Sequence, residues 1–559
     1  MTLQRTFNPY IDTVLGHVDL TQTAWTYSFP TNSLEAGAGD NNPDFTAFND
    51  GQKAAFRQAL ANYAAVCNLS FTEQPSTVDT DLTVSNKKNI IPGDSSVVGI
   101  CYGDGTIYVD YTQPTYGPGT FVFLNYEHEL GHALGLRHPF KINLDWKGVI
   151  PIDHRARDYS VDSYDPDLVG GGITNGNSML KTLGLDDLRA LQYRWGANFS
   201  TNSANTVYSW DATTGAQTIK NGNSVVTMSA GPIPLAFEVV WDGGGVDTYD
   251  LSNFIKAQTI DLRPGKWSTI SPDLLPKPYS DSPGIVPGNI ANAYLSYDPT
   301  TGQADLRSLI ENVIAGKGDD VITGNQADNT LDGNDGNDQI YGLTGDDTLI
   351  GGNGDDTLDG GEGADVMIGG VGNDQYKIDS SGDVVIEQAN GGIDTVISSV
   401  QVSLRDASLT NIENLTAIGS QILVEGNDLD NILIANAQNN SVKGNAGADK
   451  LYGMAGNDTL EGGDGNDTLD GGTGDDTLRG GAGDDVYVFG YGSGRDTIIQ
   501  GDGGADRLVF DPLVNILDIV WSRQGDNLIG SLKGGADQVT IIDWYRSSAN
   551  TLALTLSDG

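Results

Sequence analysis

Residues 351–377 read GGNGDDTLD-GGEGADVMI-GGVGNDQYK, three copies of one nine-residue unit. The pattern G-G-x-G-x-D-x-U-x, with U apolar, winds into a parallel β-roll. Glycines take the positive φ angles of the turn, and a short x-U-x strand sends one apolar side chain inward. Two units close one coil, so residues 18 apart stack in neighbouring coils, about 5 Å from each other by strand spacing.

The unit extends in both directions from this stretch. One block runs from Ala315 to Lys377 and a second starts at Gly444, twelve copies in the same register. A flexible Gly–Asp tail would have no reason to hold an apolar residue at one fixed phase. Position six carries Asp320, Asp338, Asp347, Asp356, Asp365, Asp374, Asp449, Asp458, Asp467, Asp476 and Asp485, with Asn329 the exception. Two bare carboxylates about 5 Å apart repel by roughly 3 kcal/mol at an effective dielectric near 20. A column of them therefore calls for cations. Calcium suits it, since it accepts six to eight oxygens from carboxylates and carbonyls in flexible geometry. Between the blocks, GNDLDNILIANAQNNSVKG reads as worn repeats with Asn431 and Asn440 at the aspartate position. Those coils are expected to stack without calcium.

The remaining bulk properties agree. The 559 residues carry a net charge of −45, which excludes a nucleic-acid partner, because that requires a basic surface. The same charge disfavours an anionic membrane surface. No apolar run reaches the roughly 18 residues of a membrane-spanning helix, so no membrane insertion is expected. The first residues, MTLQRTFNPYIDTVLG, lack the basic-then-apolar pattern of a secretory signal peptide. Cys67 and Cys101 are either two buried thiols or one disulfide. Oligomeric state is not encoded in any motif, and a monomer is expected.

Up to about Trp195 the composition is that of a mixed α+β domain. AAFRQALANYAAV predicts an amphipathic helix with Phe56, Leu60 and Tyr63 on one side. WTYSF, DLTVS and GTIYVDY predict strands, the last offering an edge for an extended peptide to join. LGLDDLRALQYRWG predicts a helix stopped by Gly196. Beyond it helical periodicity vanishes.

Three of the five histidines fall within residues 128–138, HELGHALGLRH. On a helix, His128 and His132 are i and i+4 and share a face. Gly135 lets the chain turn, so that His138 can return to the same point. Three imidazoles make a zinc site with one position open for water, and Glu129 is placed to take a proton from that water. His17 and His154 have no partner at ligand spacing and read as ordinary histidines.

HELGHALGLRH fits the H-E-x-x-H-x-x-G-x-x-H signature of metzincins. With the nonapeptide repeats, and with LSFTE, DLRALQYRWGAN, VWDGGGVDTYDLS and ENVIAGKGDDVITGN in the expected order, the chain resembles a serralysin-type RTX metalloprotease over nearly its whole length. The resemblance implies an α+β metzincin catalytic domain followed by an all-β parallel β-roll. It implies one catalytic zinc on His128, His132 and His138, Glu129 as general base, and several structural calcium ions. It also implies that Tyr164, in SVDSY, can ligate zinc and then stabilise the oxyanion. The expected domains are 1–196 (catalytic), 197–314 (connecting β-rich part), 315–490 (calcium-binding roll) and 491–559 (secretion-related segment).

Broadly specific peptide hydrolysis of protein substrates follows from the resemblance. So does export from a Gram-negative bacterium by type I secretion machinery, to an extracellular location, through an uncleaved C-terminal signal. The stretch DWYRSSANTLALTLSDG does not match the usual serralysin terminus. One position also departs from the family: SVDSY has Asp162 where its Met-turn has methionine, which puts a carboxylate under the zinc site. Two other readings remain. One is a calcium-binding RTX adhesin or surface-layer component with an impaired protease domain. The other is a different RTX enzyme, such as a lipase or a polysaccharide-modifying enzyme; the lack of a G-x-S-x-G elbow speaks against a lipase.

Overall fold

The computed structural model describes residues 22–31, 45–78, 80–87, 99–101, 106–109, 121–134, 136, 182–183, 185–228, 234–275, 288–297, 304–500, 503–546 and 552–556. The chain forms two compact units, one through Ala327 and one from Asp328.

The first unit begins with a mixed sheet. Ala24–Ser28 runs parallel to Ser70–Glu73 on one side and Leu82–Lys87 on the other. Thr106–Val109 continues the parallel order beside Leu82–Lys87, and Gly99–Cys101 closes it antiparallel. The reading of GTIYVDY as an edge strand is therefore corrected: Thr106–Val109 is flanked on both sides, and the edge belongs to Gly99–Cys101. A strand that alternates apolar and polar residues looks the same in sequence at an edge as one position inside it.

The helix Asp50–Val66 starts with a capping box, in which Asn49 and Gln52 satisfy each other's orphan backbone donors. Its Phe56, Leu60 and Tyr63 are buried as expected, in a core shared with Trp25, Tyr27, Phe123, Tyr126, Leu130, Leu188 and Leu191. Asp50–Val66 thus packs with the helices Phe121–Ala133 and Leu185–Trp195 around one centre. Gly196 ends the last of these at φ 77°, the left-handed conformation that helix stops use. Cys67 is a free, buried thiol whose Sγ donates to Tyr63 O at 3.2 Å. No α-helix follows Trp195 among the described residues.

The second unit is the roll. One face is a continuous run of parallel strands: Gln339–Thr344, Thr357–Glu362, Gln375–Ile378, Thr395–Ser398, Asn414–Ala417, Ile432–Ile434 and onward to Ala553–Leu556. The opposite face is built from Thr330–Asp335, Thr348–Asn353, Val366–Val371 and Val384–Ile386, and later from Leu423–Glu425 through Gln538–Ile541. From Thr330–Asp335 to Val366–Val371 the strands are six residues long, not three, because positions one to three of the next unit continue the ladder. Leu331, Ile340, Leu349, Leu358, Met367 and Tyr376 fill the interior and are fully buried. From the third unit onward, position two sits at positive φ even where it is not glycine: Leu343 has φ 84° and Met454 φ 73°.

Candidate metal centres

Helix Phe121–Ala133 carries the first half of the histidine motif. Two contacts fix it against Asp50–Val66: Tyr63 Oη donates to Glu127 O at 2.8 Å, and Asn62 Nδ2 to Glu127 Oε1 at 2.8 Å. Burial pushes the Glu127 carboxyl up to about 8. The next residue, His128, and its neighbour Glu129 are both buried.

His128 Nε2 and His132 Nε2 lie 3.1 Å apart. After the helix, Leu136 N reaches back to Gly131 O at 2.8 Å, and this turn brings Leu136 O within 3.1 Å of His132 Nδ1. A carbonyl can only accept, so the Nδ1 of His132 carries the proton and its Nε2 presents a lone pair to His128 Nε2. Fixing the far nitrogen in this way is how proteins orient imidazole ligands. Two nitrogens bound at 2.0–2.1 Å by a tetrahedral ion stand about 3.3 Å apart, so the pair fits zinc. His138, Tyr164 and Asp162 lie outside the described residues, as does Gly135.

The position-six aspartates form two columns. On one face Asp338 N donates to Asp356 Oδ1 at 2.7 Å, and Asp356 N to Asp374 Oδ1 at 2.9 Å. On the other, Asn329 N donates to Asp347 Oδ1 at 2.6 Å, and Asp347 N to Asp365 Oδ1 at 2.8 Å. The second block repeats the arrangement through Asp449, Asp467 and Asp485, and through Asp458 and Asp476. Each aspartate thus spends Oδ1 on the backbone of the preceding coil. The Oδ2 atoms of Asp347, Asp356, Asp365, Asp374, Asp449, Asp458, Asp467, Asp476 and Asp485 are buried and have no hydrogen-bond partner. Orphaned carboxylate oxygens inside a protein are costly, and a file of them fits a hard cation.

The carboxyls register this. Burial first, and then a neighbouring aspartate, raises Asp347, Asp356 and Asp449 to about 7 and Asp365, Asp374 and Asp485 to about 6, although backbone hydrogen bonds pull the other way. Asp320 differs from the others: its two oxygens accept from Gln258 N at 2.6 Å and Gly316 N at 3.1 Å. Asn431 Nδ2 donates to Glu413 O at 2.9 Å and Asn440 Nδ2 to Gln421 O at 2.8 Å, where an aspartate would have had an orphan oxygen.

Sequence reading missed several members of the columns. Asp394, Asp496 and Asp506 accept from Asp374 N, Asp476 N and Asp485 N across steps of 20, 20 and 21 residues. The signal was present as G-I-D-T-V, G-R-D-T-I and G-A-D-R-L, but insertions of two or three residues break the period. A further acidic group in the first unit was also missed. Asp242 Oδ2 accepts from Tyr208 Oη at 2.6 Å and Asp247 Oδ1 from Thr206 N at 2.7 Å, while Glu311 Oε2 accepts from Asp247 N at 2.7 Å. Burial raises all three carboxyls.

Known proteins match the repeats and the segment before them. The family model for the RTX calcium-binding nonapeptide repeat matches residues 309–340, 341–376, 425–460 and 461–490, and that for the peptidase M10 serralysin C terminal matches 197–272. The chain resembles the serralysin-type RTX metalloproteases. It is 30% identical over 331 residues to serralysin of Proteus mirabilis, covering 54% of this chain and 59% of the relative. It is 30% identical to metallopeptidase AprA of Pseudomonas marginalis (56% and 61%), and 32% identical to serralysin of Photorhabdus laumondii (52% and 57%). The chain thus spans about three-fifths of the length of these curated relatives. Among solved structures, a mannuronan C5-epimerase subunit from Azotobacter vinelandii matches 22% of this chain and 78% of its own, at 28% identity and TM-score 0.10. The extracellular lipase LipA of Serratia marcescens matches 48% and 44%, at 23% identity and TM-score 0.15.

Proposed function

We propose that the chain is a secreted, calcium-dependent zinc endopeptidase of broad specificity. The observation that carries this reading is the pair of converging Nε2 atoms, 3.1 Å apart, on a helix whose next-door carboxylate is Glu129. His128 and His132 would hold the metal, with His138 as third ligand by the resemblance. Bound zinc would supply Lewis acidity toward the scissile carbonyl and toward water. Glu129, buried beside His128, accepts the proton of the attacking water and passes it to the leaving nitrogen. Tyr164 donates to the developing oxyanion. The Leu136 carbonyl keeps the His132 imidazole from rotating away.

In this reading residues 1–196 are catalytic and 197–314 connect, while 315–490 bind calcium through the aspartate columns and 491–559 serve export by type I machinery. Its substrates are proteins and peptides, and its place of action is extracellular. The test is metal content and casein hydrolysis on the full chain. His132→Ala should lose both zinc and activity, and Glu129→Gln should keep about one zinc per chain and lose activity. Zinc-free protein that is correctly folded and calcium-loaded refutes the site. A second reading, a calcium-binding adhesin with an impaired protease domain, is favoured by Asp162 alone. It predicts zinc without hydrolysis in the unmodified chain.

A further inference from the structure

Where the first repeat block ends, the chain leaves the nonapeptide pattern between Asp379 and Asp394, and here the interior changes character. The strand Val384–Ile386 still pairs with Val366–Ile368. Along it Val384 and Ile386 are exposed and Val385 is buried, so the inward-facing positions are 385 and 387. The second of these is Glu387, a carboxylate one coil beyond Gly369 and two beyond Gly351, where the regular repeat has no side chain at all. Its main-chain carbonyl is held by Asn411 Nδ2 at 2.9 Å, its Oε1 accepts from Gln388 N at 2.6 Å, and its Oε2 accepts from the buried Tyr376 hydroxyl.

Two further carboxylates meet it. Asp374 is the last regular aspartate of its column, and Asp394 is the first irregular one, reached after 20 residues in place of 18. One oxygen each of Asp374, Glu387 and Asp394 lie within 4.8 Å of one another, and all three residues are buried. This is an unusual place for three negative charges, and a second observation shows that hydrogen bonds within the protein do not absorb them. Asp374 and Asp394 are each 1% exposed, and the Oδ2 of each has no hydrogen-bond partner. Their Oδ1 atoms are already taken by Asp356 N at 2.9 Å and Asp374 N at 2.8 Å. The glycines around the cluster leave it room. A methyl group on Gly369 would run into Tyr376 Oη and Asp374 Oδ2 alike, and one on Gly391 would run into Glu387 Oε1.

The geometry points to a divalent-cation site formed by Asp374, Glu387 and Asp394, which closes the first repeat block with a ligand drawn from outside any repeat. Three carboxylates in a small, dry space, with two oxygens left over after backbone demands are met, match calcium's preference for hard anionic oxygens. Lysine or arginine does not substitute, since no basic side chain forms an ion pair with any of the three among the described residues. The Tyr376 hydroxyl orients Glu387 without competing for the ion, because it donates. The site shares Asp374 with the proposed calcium column but does not depend on the protease reading. Asp394 too continues that column, so the distinctive member is Glu387.

The experiment counts calcium on the full-length chain, equilibrated with excess calcium, freed of unbound ion by gel filtration and read by elemental analysis. Glu387→Gln keeps an acceptor for Tyr376 and removes one charge; Asp394→Asn keeps the acceptor for Asp374 N. Each should lose one calcium per chain relative to the unmodified protein while retaining its far-ultraviolet circular dichroism. Terbium luminescence, sensitised by a nearby phenol, should fall in Tyr376→Phe and in both charge variants. An unchanged calcium count and terbium signal in folded Glu387→Gln overturns the inference even if Asp394→Asn loses an ion, because Asp394 also serves the column. If the unmodified chain binds no calcium at all, the aspartate columns fail as well, so the two failures are told apart. If Glu387→Gln does not fold, Glu387→Ala decides by the same count.

Discussion

Removing calcium from the roll should make its folding depend on pH in a direction opposite to ordinary acid denaturation. Nine column aspartates, Asp347, Asp356, Asp365, Asp374, Asp394, Asp449, Asp458, Asp485 and Asp496, sit at about 6 to 8 in the folded chain against 3.8 when free, principally because they are buried. Each tenfold gain in proton affinity is worth about 1.4 kcal/mol, so ionising one of them in place costs about 3–6 kcal/mol at full value. Solvent screening roughly halves this, leaving about 1.5–3 kcal/mol per group. Over the set the penalty at neutral pH is about 10–20 kcal/mol, as large as or larger than the roughly 5–15 kcal/mol by which whole domains are stable. The folded form binds more protons than the unfolded one. Its stability is therefore fullest below about pH 4 and is lost as pH rises through 6 to 8. The assay is circular dichroism with urea titration on the full chain, freed of calcium, at about pH 5 and about pH 7.5. We expect β-rich, urea-resistant protein at the lower pH, a coil-like roll at the higher, and recovery at the higher pH on adding calcium. Magnesium should recover little, because it demands tight octahedral geometry. Calcium-free protein equally β-rich and urea-resistant at both pH values refutes the reasoning.

Three further outcomes are expected. Asp356→Asn removes a buried charge while keeping an acceptor for Asp338 N, so it should raise the stability of calcium-free protein by about 1–2 kcal/mol and weaken calcium affinity; urea midpoints with and without calcium check both signs. Met454→Gly should stabilise the roll by about 1 kcal/mol, because φ 73° is strained for a residue with a Cβ and this side chain is half exposed; an unchanged or lowered midpoint contradicts this. Asp162→Met should raise zinc retention with proteolysis at least unchanged, since the resemblance implies a carboxylate beneath the site, which is costly unless paired; loss of activity in a folded variant would give Asp162 a role of its own.

Much of this architecture was legible because the roll is specified locally. A repeat with Leu358 at one phase and Asp356 at another states its period, its inside and its cation need within nine residues. The i, i+4 spacing of His128 and His132 likewise foretold their convergence. What could not be read depends on contacts remote in sequence. The Leu136 carbonyl that fixes the His132 tautomer arises from a turn, and the position of Thr106–Val109 inside the sheet depends on where Gly99–Cys101 chooses to pair. Asp394, Asp496 and Asp506 were hidden by insertions, since a column tolerates a longer outer loop while a periodicity search does not. Glu387 had no repeat to announce it and was found only through the strand that turns it inward.

The bond from each aspartate Oδ1 to the N–H of the coil before it gives the roll a polarity, like that of a filament with unlike ends. Every step of a column runs the same way, so a coil can be added or lost without disturbing the chemistry of its neighbours. Length should therefore vary in quanta. Excising 18 residues, such as 453–470, removes one storey and leaves everything downstream facing as before, lowered by the roughly 4.8 Å between strands. Excising nine removes half a storey and swings all that follows to the opposite side. A gene that gains or loses this DNA by slippage has, in the even steps, a way to change the height of the structure without redesigning it.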